Sequence, residues 1–128
     1  MKLLLDTHIW LWSILEPSLI GRHLARELSS VENELWLSPI STWEALTLAH
    51  KGRIQITGDM RSWFDEALLN LAEAPLTHEI AVEAQFLNLH SDPADRFLAA
   101  TAKVLELTLV TADRNLLGLP GIATLANR

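Results

Sequence analysis

This 128-residue sequence predicts an α/β fold built on a parallel sheet, and three observations carry the prediction. Short apolar runs alternate with longer segments whose apolar residues recur at helical spacing, the order expected of strands separated by helices. The strand-like runs, Leu3–Leu5 and Leu107–Val110 above all, do not alternate with polar residues, as suits strands covered on both faces. Acidic residues stand directly after such runs, at the carboxyl ends where sheets of this kind bind ligands.

Taken in order, Lys2–Leu5 reads as the first strand, bounded by Asp6. Ile9, Trp12 and Leu15, with Trp10 and Ile14 beside them, suit a buried first helix. Trp10 and Trp12 fall on different sides of it, which leaves one of them for a subunit interface. Glu34–Leu37 is the second strand. The helix after it ends at His50-Lys51-Gly52, with glycine past the last turn and basic residues facing the negative dipole end. Arg53–Ile56 reads as a short edge piece. Trp63, Phe64, Ala67, Leu68 and Leu71 form one apolar helical face, Ile80, Ala84 and Leu87 a second, and Phe97, Leu98, Thr101, Ala102 and Leu105 a third. Thr108–Val110 is the next strand, and a weaker one lies near Gly121–Thr124.

The length fits one domain spanning residues 1–128, and 49% apolar residues supply a sizeable core. There is no cysteine, which removes disulfides, thiolate metal sites and cysteine nucleophiles together. The opening apolar run is interrupted by Asp6 and His8, too early for a signal peptide, and no stretch approaches the roughly 20 apolar residues of a membrane span. A soluble, cytoplasmic protein is expected. The net charge of −6 argues against non-specific coating of nucleic acid, because phosphate binders carry basic patches. It leaves room for a nuclease in which divalent cations supply the positive charge.

Asp6, Glu44, Asp95 and Asp113 are the candidates for chemistry. Singly, each has a structural reading as a helix cap. Asp6 follows the first strand and suits an N-cap. Ser41-x-x-Glu44 is a formal capping box, with Ser38 followed by Pro39 as the alternative cap, which places Glu44 a turn further in. Asp92, before Pro93, is the natural cap of the Phe97–Leu105 helix, so Asp95 is left more open. Asp113 follows the Thr108–Val110 run and suits a turn or cap. Jointly they say more: two acids at strand ends and two at helix starts converge on one rim. Such like charges repel and raise one another's pKa values unless a cation offsets them. All-oxygen ligands select hard ions, Mg²⁺ or Mn²⁺, and carboxylate-held metal suits phosphodiester hydrolysis.

Four segments taken in order resemble a known family: Leu3-Leu4-Leu5-Asp6-Thr7-His8, the run Ser38–Glu44, the block His90–Ala99 containing Asp92-Pro93-Ala94-Asp95-Arg96, and Leu109-Val110-Thr111-Ala112-Asp113. They are similar to PIN-domain nucleases, and most of all to the VapC-type ribonuclease toxins of bacterial toxin–antitoxin pairs. The resemblance spans essentially the whole chain. It implies a three-layer α/β/α sandwich around a parallel sheet, Mg²⁺-dependent cleavage of single-stranded RNA, homodimers and inhibition by a cognate antitoxin. Carried onto this sequence, it makes Asp6 and Asp95 the principal metal ligands. Glu44 and Asp113 complete the pocket directly or through water, Asp113 being the outermost. Thr7 and Thr111 become hydroxyls that orient carboxylates or water.

Arg96 and Arg114 flank the acids and suit RNA phosphate or an exposed ion pair equally. His8 suits a surface or packing role better than a substrate contact. His23, His50, His78 and His90 lack paired ligand spacing, so no histidine metal site is expected. The alternatives are a haloacid-dehalogenase-like phosphatase, a phospho-acceptor receiver domain and a non-catalytic PIN-like binding module. The first wants an aspartate where His8 stands. The second wants an aspartate after the third strand and a lysine after the fifth. The third sits poorly with a full set of acids.

Overall fold

The strand nearest the start of the chain lies at the centre of the sheet. The computed structural model describes residues 1–89 and 92–128. In chain order these form β1 (Lys2–Leu5), α1 (Thr7–Leu15), a 3₁₀ turn (Pro17–Leu19), α2 (Arg22–Ser29), β2 (Glu34–Leu37) and α3 (Pro39–His50), followed by α4 (Met60–Ala67), β3 (Ala72–Glu73) and α5 (His78–Phe86). The chain continues with α6 (Pro93–Leu105), β4 (Thr108–Thr111), α7 (Arg114–Leu117) and β5 (Thr124–Ala126). The five strands run in the order β3-β2-β1-β4-β5, and every neighbouring pair is parallel.

Successive residues of β1 serve opposite faces, as the pleat requires. Leu3 and Leu5 join Ile9, Trp10, Leu24, Phe64 and Val110 in one core. Leu4 joins Leu98, Ala99, Ala102, Leu109 and Leu116 in another. Helices α1, α2 and α4 therefore cover one face and α6 the other, and the three-layer α/β/α arrangement follows. Leu3, Leu4 and Leu109 are completely buried, so truncating any of them to alanine costs about 2–5 kcal/mol. Behind α6, α5 packs Ile80 and Ala84 against Ala100. The fully buried Ala100 lets the two helices approach closely.

The predicted strands Lys2–Leu5 and Glu34–Leu37 are found as read, and the third runs one residue further, to Thr111. Three expectations need correction. Arg53–Ile56 is not a strand: Ile54 and Ile56 pack on the core from a loop. The edge beside β2 is taken instead by Ala72–Glu73, two residues too short to leave a periodic signal. The last strand begins at Thr124, because Gly121 sits in the preceding turn at φ +79°. Helix α2 went unread because Leu24 is its only fully buried residue, so it lacks an apolar stripe. The stop at His50-Lys51-Gly52 holds, with Gly52 at φ +70° just beyond α3. Among the described residues no helix is long and apolar enough to cross a membrane.

Candidate active site

Sheet geometry places the acids. Leu5 pairs with Val110, and the backbone N–H of Asp6 donates to the Val110 carbonyl at 2.9 Å, continuing the ladder one step past β1. Asp6 is thereby level with Thr111, whose hydroxyl donates to Asp6 Oδ2 at 2.7 Å. Asp6 occupies the N-cap position of α1 but makes no side-chain cap bond. The capping reading of its carboxylate is replaced by this bond from Thr111. The same Thr111 oxygen accepts the Asp113 N–H at 3.0 Å, so one completely buried hydroxyl ties two acidic segments together.

On the other side of β1, Ser38 caps α3 by accepting the Ile40 N–H at 3.1 Å, with Pro39 in the first turn. The capping box from Ser41 to Glu44 therefore does not form. Ser41 lies a turn inside the helix, completely buried, with its hydroxyl 2.8 Å from that of Thr7. The Thr7 hydroxyl also bonds a Glu44 oxygen. Having one proton, Thr7 donates it to the charged acceptor and uses its lone pairs for Ser41. Each strand end thus carries a buried threonine that holds a carboxylate delivered by a different part of the chain. Thr7 and Thr111 were readable as orienting hydroxyls; Ser41 was hidden behind its apparent cap role.

Asp92 caps α6, its Oδ1 accepting the Ala94 N–H at 2.8 Å, and Asp95 lies in the first turn of that helix. Asp113 caps α7 through a 2.8 Å bond from the Asn115 N–H. Asp6, Glu44, Asp92, Asp95 and Asp113 nonetheless line one cleft of about 380 Å³, together with His8, Trp12 and Ala112. All four predicted acids meet there, and Asp92 joins them while keeping its cap. His8 and Trp12 are additions that the helical spacing of four residues carried, since their rings lie 5.9 Å apart on one side of α1. Trp10, on another side, is buried against Phe64 with ring centroids 6.2 Å apart. His90 and Ser91 lie outside the described residues.

The two arginines stand apart from this cleft. Arg96 Nη1 donates to the carbonyls of Ala84 (2.7 Å) and Leu87 (3.1 Å), closing the carboxyl end of α5. Arg114 is exposed, and neither arginine is among the cleft-lining residues.

Burial and mutual repulsion govern the electrostatics. The carboxyl of Asp95 is pushed up to about 7, first by burial and then by the charges of Asp6, Asp92, Asp113 and Glu44. Burial also raises Asp6, against the lowering effect of the Thr111 bond. It raises Glu44 as well, opposed by the bond from Thr7. The set is oxygen-only and short of positive charge, the chemistry of a hard divalent cation. Among the described residues no three acidic or imidazole groups stand close enough to share one ion as they are held. The donor types fit such an ion, and gathering them around it requires carboxylate rotation.

Comparison with known proteins places the fold and the sequence together. The PIN domain model matches residues 3–121. Ribonuclease VapC22 of Mycobacterium tuberculosis (strain ATCC 25618 / H37Rv) is 32% identical over 115 residues, covering 88% of each chain. The fold is similar to that of a chain in VapBC2 from Rickettsia felis bound to a DNA fragment from their promoter, with a TM-score of 0.74, 18% identity and 98% of each chain covered. It is likewise similar to a chain in DNA-bound VapBC from Salmonella typhimurium, with a TM-score of 0.72, 18% identity, and 100% of this chain and 99% of that one covered. Acids at the ends of parallel strands, the motif order and these likenesses agree: the chain belongs to the PIN domain family, with its resemblance to VapC ribonucleases.

Proposed function

We propose that this protein is a Mg²⁺- or Mn²⁺-dependent endoribonuclease that cleaves single-stranded RNA, and that it is the toxin of a toxin–antitoxin pair. The observation that carries the proposal is the convergence of Asp6, Glu44, Asp95 and Asp113 on one cleft at the carboxyl ends of β1 and β4. The VapC22 name and the toxin–antitoxin complexes among the structural neighbours support the class of substrate and the existence of an antitoxin. In this reading Asp6 and Asp95 are the principal ligands, Glu44 completes the set, and Asp113 serves as the outer member directly or through water. A bound divalent ion supplies Lewis-acid charge at the scissile phosphate and acidifies water.

The residues of the chain do the rest. Thr111 holds one oxygen of Asp6, which fixes the direction in which the other faces. Thr7, backed by Ser41, does the same for Glu44. Asp95, ionising near neutral pH, must give up a proton to take a cation, which makes metal binding by the set pH-dependent. With Arg96 committed to α5, it serves as a clamp, not as a phosphate ligand. Homodimer formation belongs to the same proposal.

The test is cleavage of a mixed single-stranded RNA by purified protein with Mg²⁺ or Mn²⁺, with chelator as control. Asp6→Asn and Asp95→Asn are expected to abolish cutting while remaining folded. RNA left intact under every metal condition, or an Asp6→Asn variant that cuts like wild type, refutes the proposal. Expression with and without the adjacent reading frame tests the toxin assignment: arrest relieved by the neighbour supports it, and no arrest removes it.

A further inference from the structure

Beside the acidic cleft lies a second, larger groove of about 520 Å³. His8, Glu44 and Asp92 line both, so the two adjoin. Away from the shared acids, the groove wall is apolar and aromatic, with Ile40, Trp43 and Phe97, and it contains the cation Lys51. Trp43 and Thr47 stand four residues apart on one side of α3, and Lys51 follows four residues later as the C-cap of that helix. Lys51 stands seven positions after Glu44, a rise of about 10 Å along the axis. That distance is on the scale of one or two nucleotides of extended strand.

Trp43 has no evident role in the fold. It is 62% exposed, among the largest apolar surfaces the chain shows to solvent. It also borders a third groove, on its other flank, lined by Leu37, Leu46, Leu68 and Leu71. That groove contains no cation and includes Glu73, so it offers a phosphate nothing. The Lys51 groove differs in holding a cation, and the acids in its lining, Glu44 and Asp92, are those it shares with the acidic cleft. Lys51 has no ion-pair partner among the described residues.

Building on the ribonuclease reading, we propose that this groove is the subsite for the RNA nucleotide next to the scissile phosphate. Its base stacks on Trp43, and Lys51 meets its distal phosphate. This offers an acidic protein a means of holding RNA. Stacking is indifferent to net charge, and a single cation suffices to set the direction of the strand. Because few counterions are released, binding depends only weakly on salt.

The test uses the full-length Asp95→Asn protein and fluorescein-labelled single-stranded RNA oligomers of increasing length, with affinity read by anisotropy across a salt series in Mg²⁺. Affinity is expected to step up when the oligomer first reaches the groove. Trp43→Ala should remove that step, a loss of about 10-fold or more, while Trp43→Phe retains most of it. Lys51→Met should reduce the slope of log affinity against log salt by about 0.7, the contribution of one single-strand phosphate. Unchanged affinity and length dependence in Trp43→Ala would overturn the subsite. So would light scattering that shows a dimer of the parent becoming a monomer in that variant, since a second copy then covers the groove. Failure of the underlying reading looks different: wild-type protein with Mn²⁺ then cuts no RNA of any length.

Discussion

The rim of the sheet and the outer α5–α6 pair handle charge in opposite ways. On the outer pair both basic side chains, Lys103 and Arg96, have partners. Lys103 meets Glu83 at 2.6 Å, Arg96 is spent on two carbonyls, and between them Ile80, Ala84 and Ala100 close up. At the rim, five carboxylates line one cleft, and among the described residues the hydroxyls that serve Asp6 and Glu44 are those of Thr111 and Thr7. The outer pair is built for stability. The rim gives up stability to keep negative charge in a half-buried place, the mark of a candidate functional site.

The largest effect that breaks this contrast is expected from Asp95→Asn. Removing the most strained carboxylate should cut metal-dependent RNA cleavage by 100-fold or more (about 2.7 kcal/mol or more in the barrier), measured by single-turnover cleavage. The melting temperature in chelator at pH 8 should stay level or rise. A fall of several degrees would mean that Asp95 is a structural member like those of the outer pair.

Arg96→Met tests the opposite region. It leaves the carbonyls of Ala84 and Leu87 without their charged donor, which costs about 1.5–3 kcal/mol if the site were fully buried and less at this half-buried position. Urea denaturation should register the loss. Cleavage per folded molecule should hold, because Arg96 is not among the residues lining the cleft.

The pH dependence separates the regions again. Asp95 ionises at about 7 in the folded protein against an ordinary 3.8. Between those values the folded state holds the extra proton, so stability from this group is lost as pH rises from about 4 through 7. Without metal, thermal stability should decline across that window. Mn²⁺ should restore more of it at pH 8 than at pH 6, since the ion displaces a proton at the lower pH. Thr111→Val should shift the metal-binding profile to higher pH, because Asp6 loses the bond that lowers its pKa.

The smallest effect belongs to Lys103→Met. It deletes an ion pair whose lysine is largely exposed, at a cost of about 0.5 kcal/mol or less in the denaturation midpoint.

The rim was more legible in the sequence than the rest of the fold, for a physical reason. A strand buried on both faces must be apolar throughout, so Leu3–Leu5 and Leu109–Val110 announce themselves, and an acid placed immediately after them has its position fixed by the sheet. Asp6 and Asp113 could be placed by that rule, and Glu44 and Asp95 by the helix starts that face the same rim. What escaped notice was held by contacts between distant segments. Ser41 looked like a cap, and only the approach of Thr7 from α1 reveals its part in holding Glu44. Arg96 looked free until α5 was seen to end beneath it. Helix α2 and strand β3 carry too little apolar pattern to be read, and Trp43 shows its interest only through exposure, which no pattern encodes.

The central place of β1 has a consequence in time. A ribosome adding roughly 5–20 residues per second takes on the order of 10 s to go from residue 6 to residue 113, the first and last acids of the cleft. Throughout that interval β1 lacks its neighbour β4, and Asp6 lacks the hydroxyl of Thr111. In a nascent chain of this design the acidic cleft is therefore incomplete until Asp113 has been made.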